Sequence, residues 1–310
     1  MDEVLILTSS KDTSGMMMVD MNGSAVGPAF KQCLTDQGGL ALVGGDSSFA
    51  GRGECVDYIV AAQSRKPVVN LYCFGKPQVH MQFHLQEIVS AVAADPSGTF
   101  LAAGSRSGRL YVWNISDGIL LRTWQAHFRA VTTLSFTSDS TFVVTASEDG
   151  MGRLWDVAMV VDAKFRSTAQ HTNKSIQPFR SWSSHTLPVR GMALAGFASS
   201  IRVLTCSQDR TVAMFDAQSN SRCFRKSLPH SLECLTLNRL EDTVYCGSSS
   251  GVIFIVNMSL AALELSAAHA EVSTIGTPKH APMGLKTEPT QSKSSGTPVP
   301  SLEGHKRAVT

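Results

Sequence analysis

The sequence predicts an all-β fold, a propeller of four-stranded blades, and three observations carry that expectation. One unit is complete in Gln125 to Val157, QAHFRAVTTLSFTSDSTFVVTASEDGMGRLWDV. It holds an apolar alternation (Val131, Leu134, Phe136), a β-branched run from Phe142 to Ala146, and a Ser-Glu-Asp-Gly turn leading to Trp155-Asp156. Period-2 patterning cut by two turn clusters specifies three short antiparallel strands, and the segment after Asp156 supplies a fourth on the outside. The closing pair then recurs at Val19-Asp20, Tyr72-Cys73, Trp113-Asn114, Trp155-Asp156, Phe215-Asp216 and Val256-Asn257, at intervals of 41, 42, 60 and 41 residues from the second pair onward. A lone blade cannot bury both faces, so such units stack around an axis.

The unit has the layout of a WD repeat, with strand pattern, initial His, turn Asp and Trp-Asp pair at the proper offsets. Taken in order, Val4 to Thr8 reads as the second strand of a first blade and Met16 to Val19 as its third, with no inner strand before them. Its acidic start, MDEVLILTSSKD, is the wrong charge for a secretory leader, and no window reaches the roughly 18 apolar residues of a membrane span. The initial His is read at His84, His127, His185, His230 and His305, each followed four positions on by Ile88, Val131, Val189, Cys234 or Val309. The expected domains are blades one to six over residues 1–275, a disordered Pro/Ser/Thr-rich insert over 276–300, and the start of a seventh repeat over 301–310. The full protein is thus expected to be seven-bladed and this chain truncated in its seventh repeat. A short helix is expected around Val157 to Asp162, and the 60-residue interval holds an inserted loop, Ala163 to Ser181.

Composition narrows the function classes. Lys+Arg 27 against Asp+Glu 25 leaves a net charge of only +2, which argues against a protein built mainly to wrap nucleic acid. The seven Cys are odd in number and mostly at strand positions (Cys73, Cys206, Cys234, Cys246), so they read as reduced, intracellular thiols packed as small apolar groups.

His127, Ser147, Asp149 and Trp155 have the makings of a hydrolase triad, yet in a WD repeat such a set is a buried hydrogen-bond chain: Asp fixes the His tautomer, His bonds the hydroxyl, and the hydroxyl reaches the indole N–H. Partial versions are His185, Ser207 and Asp209 with Phe215, and His84 and Ser105 with Trp113. Gly247-Ser248-Ser249-Ser250-Gly251 fits the G-x-S-x-G elbow, but a strand follows it where an elbow needs a helix, so Ser249 belongs to a hairpin turn. There is no phosphate-binding glycine motif, C-x-x-C pair or His pair at metal spacing, so no catalytic, cofactor or metal residue is assigned. The inserted loop carries Lys164, Arg166, Lys174 and Arg180 with no acidic residue, either as a solvated connector or as a contact to RNA or an acidic partner.

At this level of detail the chain resembles the WD repeat-containing protein 18 family. Trp113 to Asp162 carries the HxRAVT phrase, SEDG before the Trp and the apolar AMVVD that follows it; Trp182 to Asp216 has the His-x-Leu-Pro opening and Ser-x-Asp-x-Thr-Val turn; Tyr245 to Met258 is similar to the family's blade without Trp. The chain departs from the pattern at Tyr72-Cys73 and in Gly276 to Pro300. The resemblance implies a non-catalytic scaffold of the nucleus, nucleolus and nucleoplasm. Its partners would be the other protein subunits of a Rix-type complex and the pre-60S particle, its role pre-rRNA processing and large-subunit assembly, with a further link to replication licensing. No membrane is implied. The alternative is another WD-repeat adaptor, such as a ubiquitin-ligase substrate receptor or a signalling scaffold.

Overall fold

The computed structural model describes residues 6–9, 15–19, 24–25, 30–31, 39–43, 58–63, 65–73, 76–161, 176–196, 200–258 and 301–303. They form six antiparallel sheets, the blades of a WD β-propeller. The first has three strands, β1 (Ile6–Ser9), β2 (Gly15–Val19) and β3 (Phe30–Lys31). The second is β4 (Leu40–Val43), β5 (Tyr58–Ala62), β6 (Val68–Cys73) and β7 (Val79–His84); the third β8 (Val89–Ala94), β9 (Phe100–Ser105), β10 (Arg109–Asn114) and β11 (Leu120–Gln125). The fourth is β12 (Val131–Phe136), β13 (Phe142–Ser147), β14 (Met151–Asp156) and β15 (Arg180–Ser183), with helix α1 (Val157–Val161) between its last two strands. The fifth is β16 (Val189–Ala195), β17 (Arg202–Ser207), β18 (Thr211–Asp216) and β19 (Arg222–Ser227), and the sixth β20 (Leu232–Leu237), β21 (Thr243–Ser248), β22 (Val252–Asn257) and β23 (Ser301–Glu303).

From Tyr72-Cys73 on β6 to Val256-Asn257 on β22, each closing pair read from the sequence falls at the end of the third strand of its sheet, and Val19 ends β2, the middle strand described in the first. Ser301–Glu303, expected to open a seventh repeat, pairs with β22 (Val252 opposite Glu303) as the outer strand of the sixth blade. The insert 276–300 and residues 304–310, including His305 and Val309, lie outside the described residues.

Adjoining blades are joined through an aromatic contact that the sequence reading did not foresee. An outer-strand aromatic of one blade packs on the closing aromatic of the next: Phe30 on Tyr72 (centroids 5.5 Å apart), Phe83 on Trp113 (5.6 Å), Trp124 on Trp155 (5.4 Å) and Trp182 on Phe215 (5.4 Å). Each such pair adds about 0.5–1.5 kcal/mol beyond the burial of the rings. The fifth junction keeps the position but not the second ring, with Phe224 and Val256 in one apolar cluster. The second strand of the third blade also meets the inner strand of the fourth closely: a Cβ on Gly104 of β9 would lie 2.6 Å from Val131 Cβ of β12, so a larger residue there would force a shift.

Each inner strand from β8 to β20 also carries a one-residue bulge at the same place, between Val89 and Ala91, Val131 and Thr133, Val189 and Gly191, and Leu232 and Cys234. The bulge re-aims the extra residue, Ser90, Thr132, Arg190 or Glu233, out of the regular alternation. Ser90 Oγ donates to Val131 O of the next blade at 2.6 Å. Arg190 lies 3.3 Å from Glu148 in the turn of the fourth blade and 3.6 Å from Glu233 of the sixth, so one guanidinium bridges three blades.

Candidate functional site

The polar chain of the fourth blade is built by β13, which carries Thr145, β14, which carries Trp155, the turn between them and the loop before β12. Asp149 sits in the β13–β14 turn, where its Oδ1 accepts from Met151 N at 3.0 Å and its Oδ2 from Phe128 N at 3.2 Å. His127 Nδ1 donates to Asp149 Oδ2 at 3.0 Å. On the other side of the ring, Nε2 lies 2.8 Å from Thr145 Oγ1, and Trp155 Nε1 donates to the same oxygen at 3.0 Å. The donor order follows from the chemistry: indole N–H can only donate, so Thr145 accepts it and gives its own proton to Nε2, which leaves Nδ1–H for the carboxylate. Every member is satisfied within the protein interior.

The hydroxyl in that chain is Thr145, not Ser147. Ser147 Oγ turns instead to the backbone, donating to Arg129 O at 3.2 Å and accepting from Asp149 N at 3.2 Å. The fifth blade repeats the substitution: His185 Nε2 lies 2.8 Å from Thr205 Oγ1 and Nδ1 3.2 Å from Asp209 Oδ2, while Ser207 donates to Leu187 O and accepts from Asp209 N. Phe215 gives Thr205 no indole donor.

Two further His assignments, His84 and His230, are out of register. In the third blade Val89 opposes Ser105, as Val131 opposes Ser147 in the fourth, so the residue matching His127 is Leu85 and not His84. Ala103 then stands where Thr145 does, and His84 is exposed; no chain runs from it to Ser105 or Trp113. In the sixth blade Leu232 opposes Ser248, which places buried Leu228 and not His230 at the His position. Leu228 N donates to Arg210 O at 2.7 Å, the bond that His127 N makes to Gly108 O at 2.9 Å.

Burial sets the ionisation. It pushes the His127 imidazole below its usual 6.5, more strongly than the Asp149 bond and charge raise it, and the same balance holds for His185 against Asp209. Burial pushes the Asp149 carboxyl up, but the bonds from His127, Met151 and Phe128 outweigh it and hold the group below 3.8. The pair is therefore a neutral imidazole donating to a carboxylate. His127 is 1% exposed and Ser147 fully buried, so neither can touch a substrate.

Of the other singled-out residues, Ser249 lies in the hairpin turn between β21 and β22, and its amide donates to Ser231 O before β20. Cys206 and Cys246 are buried, and burial pushes the Cys246 thiol up to about 12, which keeps it protonated and apolar. Among the described residues no group of three His, Cys, Asp or Glu side chains could hold a metal ion, and no helix is long and apolar enough to cross a membrane. Lys164, Arg166 and Lys174 lie outside the described residues. Arg180, read with them as a loop cation, is committed elsewhere: it begins β15, stacks over Phe179 at 4.4 Å and donates to the carbonyls of Phe179, Ala217 and Gln218.

Comparison with known proteins agrees with this architecture. The WD domain, G-beta repeat family model matches residues 75–114 and 118–156. Pre-rRNA-processing protein crb3/ipi3 of Schizosaccharomyces pombe is 31% identical over 201 residues, which are 64% of this chain and 45% of that protein. Pre-rRNA-processing protein IPI3 of Yarrowia lipolytica is 32% identical over 203 residues, again 64% and 45%. WD repeat-containing protein 18 of Danio rerio is 27% identical over 203 residues, 65% and 45%. The chain spans about half the length of the curated relatives it matches.

Proposed function

Taking this chain as a WD-repeat homologue of the pre-rRNA-processing proteins IPI3 and crb3 and of WD repeat-containing protein 18, we propose that it is a non-catalytic scaffold in pre-rRNA processing and large-subunit assembly. The observation that carries this is the 31–32% identity to two such proteins over about 200 residues of this chain. Identity of that extent supports a shared surface as well as a shared fold. The burial of His127, Ser147 and Asp149 supports the non-catalytic part, since a hydrolase needs its nucleophile and base open to solvent. The work is then binding: a rigid disc whose turns present faces and rims to several proteins at once, in a nuclear or nucleolar Rix-type complex.

Affinity purification of the tagged chain tests the proposal. Precursor large subunits, unprocessed pre-rRNA and a constant set of protein partners should come with it. Recovery of cullin adaptors or signalling components in their place would sink the reading.

Within that role we propose that the basic insert contacts pre-rRNA phosphates through Lys164, Arg166 and Lys174, cations in a stretch that carries no carboxylate. Replacing these three by Ala should weaken particle association most at low salt and make it less dependent on salt, with the melting temperature unaltered. Co-sedimentation that matches wild type across the salt series would leave the segment a connector.

A further inference from the structure

A cleft of about 540 Å³ opens where the inner strands of the fourth and fifth blades end, lined by Phe136, Thr137, Leu194, Gly196, Ile201 and Glu241 together with Ser138. Its volume falls within the roughly 300–1,000 Å³ of side-chain and small-ligand sites. Phe136, Leu194 and Ile201 make the wall apolar, and among the described lining residues Glu241 supplies the charge.

Glu241 is held there against its backbone preference. The same left-handed turn position is taken in the third and fourth blades by Gly98 (φ 71°) and Ser140 (φ 60°), and in the sixth by a glutamate at φ 57°. A glutamate carries some backbone strain there, which the bond made by its side chain offsets. The carboxylate reaches across to the fifth blade, where Oε2 accepts from Gly196 N at 2.7 Å. Gly196 is itself left-handed (φ 86°), and a Cβ on it would run into Ser200 O, so both ends of this bond are conformationally special.

We propose that this cleft receives a basic side chain from a protein partner, its aliphatic stem on Phe136, Leu194 and Ile201 and its cationic head on the Glu241 carboxylate. An apolar channel ending in one fixed carboxylate matches the two-part chemistry of an arginine or lysine, whose stem is apolar and whose head is charged. A phosphate backbone is repelled by the same group. The inference deepens the scaffold reading and rests on it only for the existence of a protein partner.

The test titrates N-acetyl-arginine amide, and separately its neutral isostere N-acetyl-citrulline amide, into the full chain while the methyl resonances of Leu194 and Ile201 are followed. The arginine probe should give saturable shifts at those methyls and bind about fivefold more tightly than citrulline, the worth of a partly exposed charge pair. Glu241→Gln keeps an acceptor for Gly196 N and should abolish the difference while the protein stays folded. Ser138→Lys, which leaves Glu241 and its bond intact but sets a cation at the cleft wall, should do the same. Equal response to both probes, no response at these methyls, arginine binding unchanged in both variants, or displacement of the probe by oligouridylate would each overturn the assignment. Particle purification decides the scaffold reading separately.

Discussion

The fourth and sixth blades share a backbone and differ at every position of the polar chain. The fourth has His127, Thr145, Asp149 and Trp155; the sixth, in the same register, has Leu228, Cys246, Ser250 and Val256. Both make the amide bond that closes the preceding turn, and both pair four strands with the same bulge. Strand pairing and packing between blades therefore specify the fold, and the polar chain is an addition to it. What the chain adds is local: Asp149 ties the loop at Phe128 to the β13–β14 turn, whereas Ser250 reaches only Ser248 Oγ, 2.9 Å away.

The largest expected effect is that of Asp149→Ala. It strands the His127 N–H and the amides of Met151 and Phe128 at once, a cost of about 3 kcal/mol, while Ser250→Ala should stay within about 0.5 kcal/mol. Denaturant unfolding of the two variants checks this, and equal costs would erase the contrast between the blades. Next comes Thr145→Val. Losing the oxygen shared by His127 and Trp155 should cost about 2 kcal/mol, against about 1 kcal/mol for Ser147→Ala, and the reverse order would restore Ser147 to the chain.

Acid should expose the same difference. His127 and His185 are held below 6.5 in the folded state, so above that pH neither form binds a proton and their contribution is whole. As pH falls below 6.5 the unfolded chain takes up protons that the folded one refuses, and stability drops by up to about 1.4 kcal/mol per pH unit for each His. Asp149, held below 3.8, enters only at lower pH. His127→Leu, which copies the sixth blade, should be less stable at neutral pH yet show a shallower decline; a decline as steep as wild type would mean that His127 is not one of the groups responsible. The smallest effect concerns the turns. Gly108, Gly150 and Gly251 hold positive φ in the third, fourth and sixth blades, and Arg210 takes the same position in the fifth at φ 67°. Arg210→Gly should raise stability by about 0.5 kcal/mol, the relief of left-handed strain less the entropy of an added glycine, as a shift in denaturation midpoint would show.

The sequence by itself determined the period, the ends of the third strands, the short helix at Val157–Val161 and the hairpin setting of Ser249, because these depend on local alternation and turn chemistry that neighbouring residues supply. It could not choose between Thr145 and Ser147. Residues two apart on a strand share a face, so both hydroxyls are equally placed until the pairing of β12 with β13 brings His127 against one of them. The same holds for Leu85 and Leu228: spacing favoured the nearest His, and only the register of each inner strand, Val89 opposite Ser105 and Leu232 opposite Ser248, reveals which residue takes the His position. Arg180 had a cation's sequence context but a structural neighbour, the turn at Ala217, that lies far off in the chain. Register, bulges and contacts between blades join residues distant in sequence, and those were decided by the tertiary structure alone.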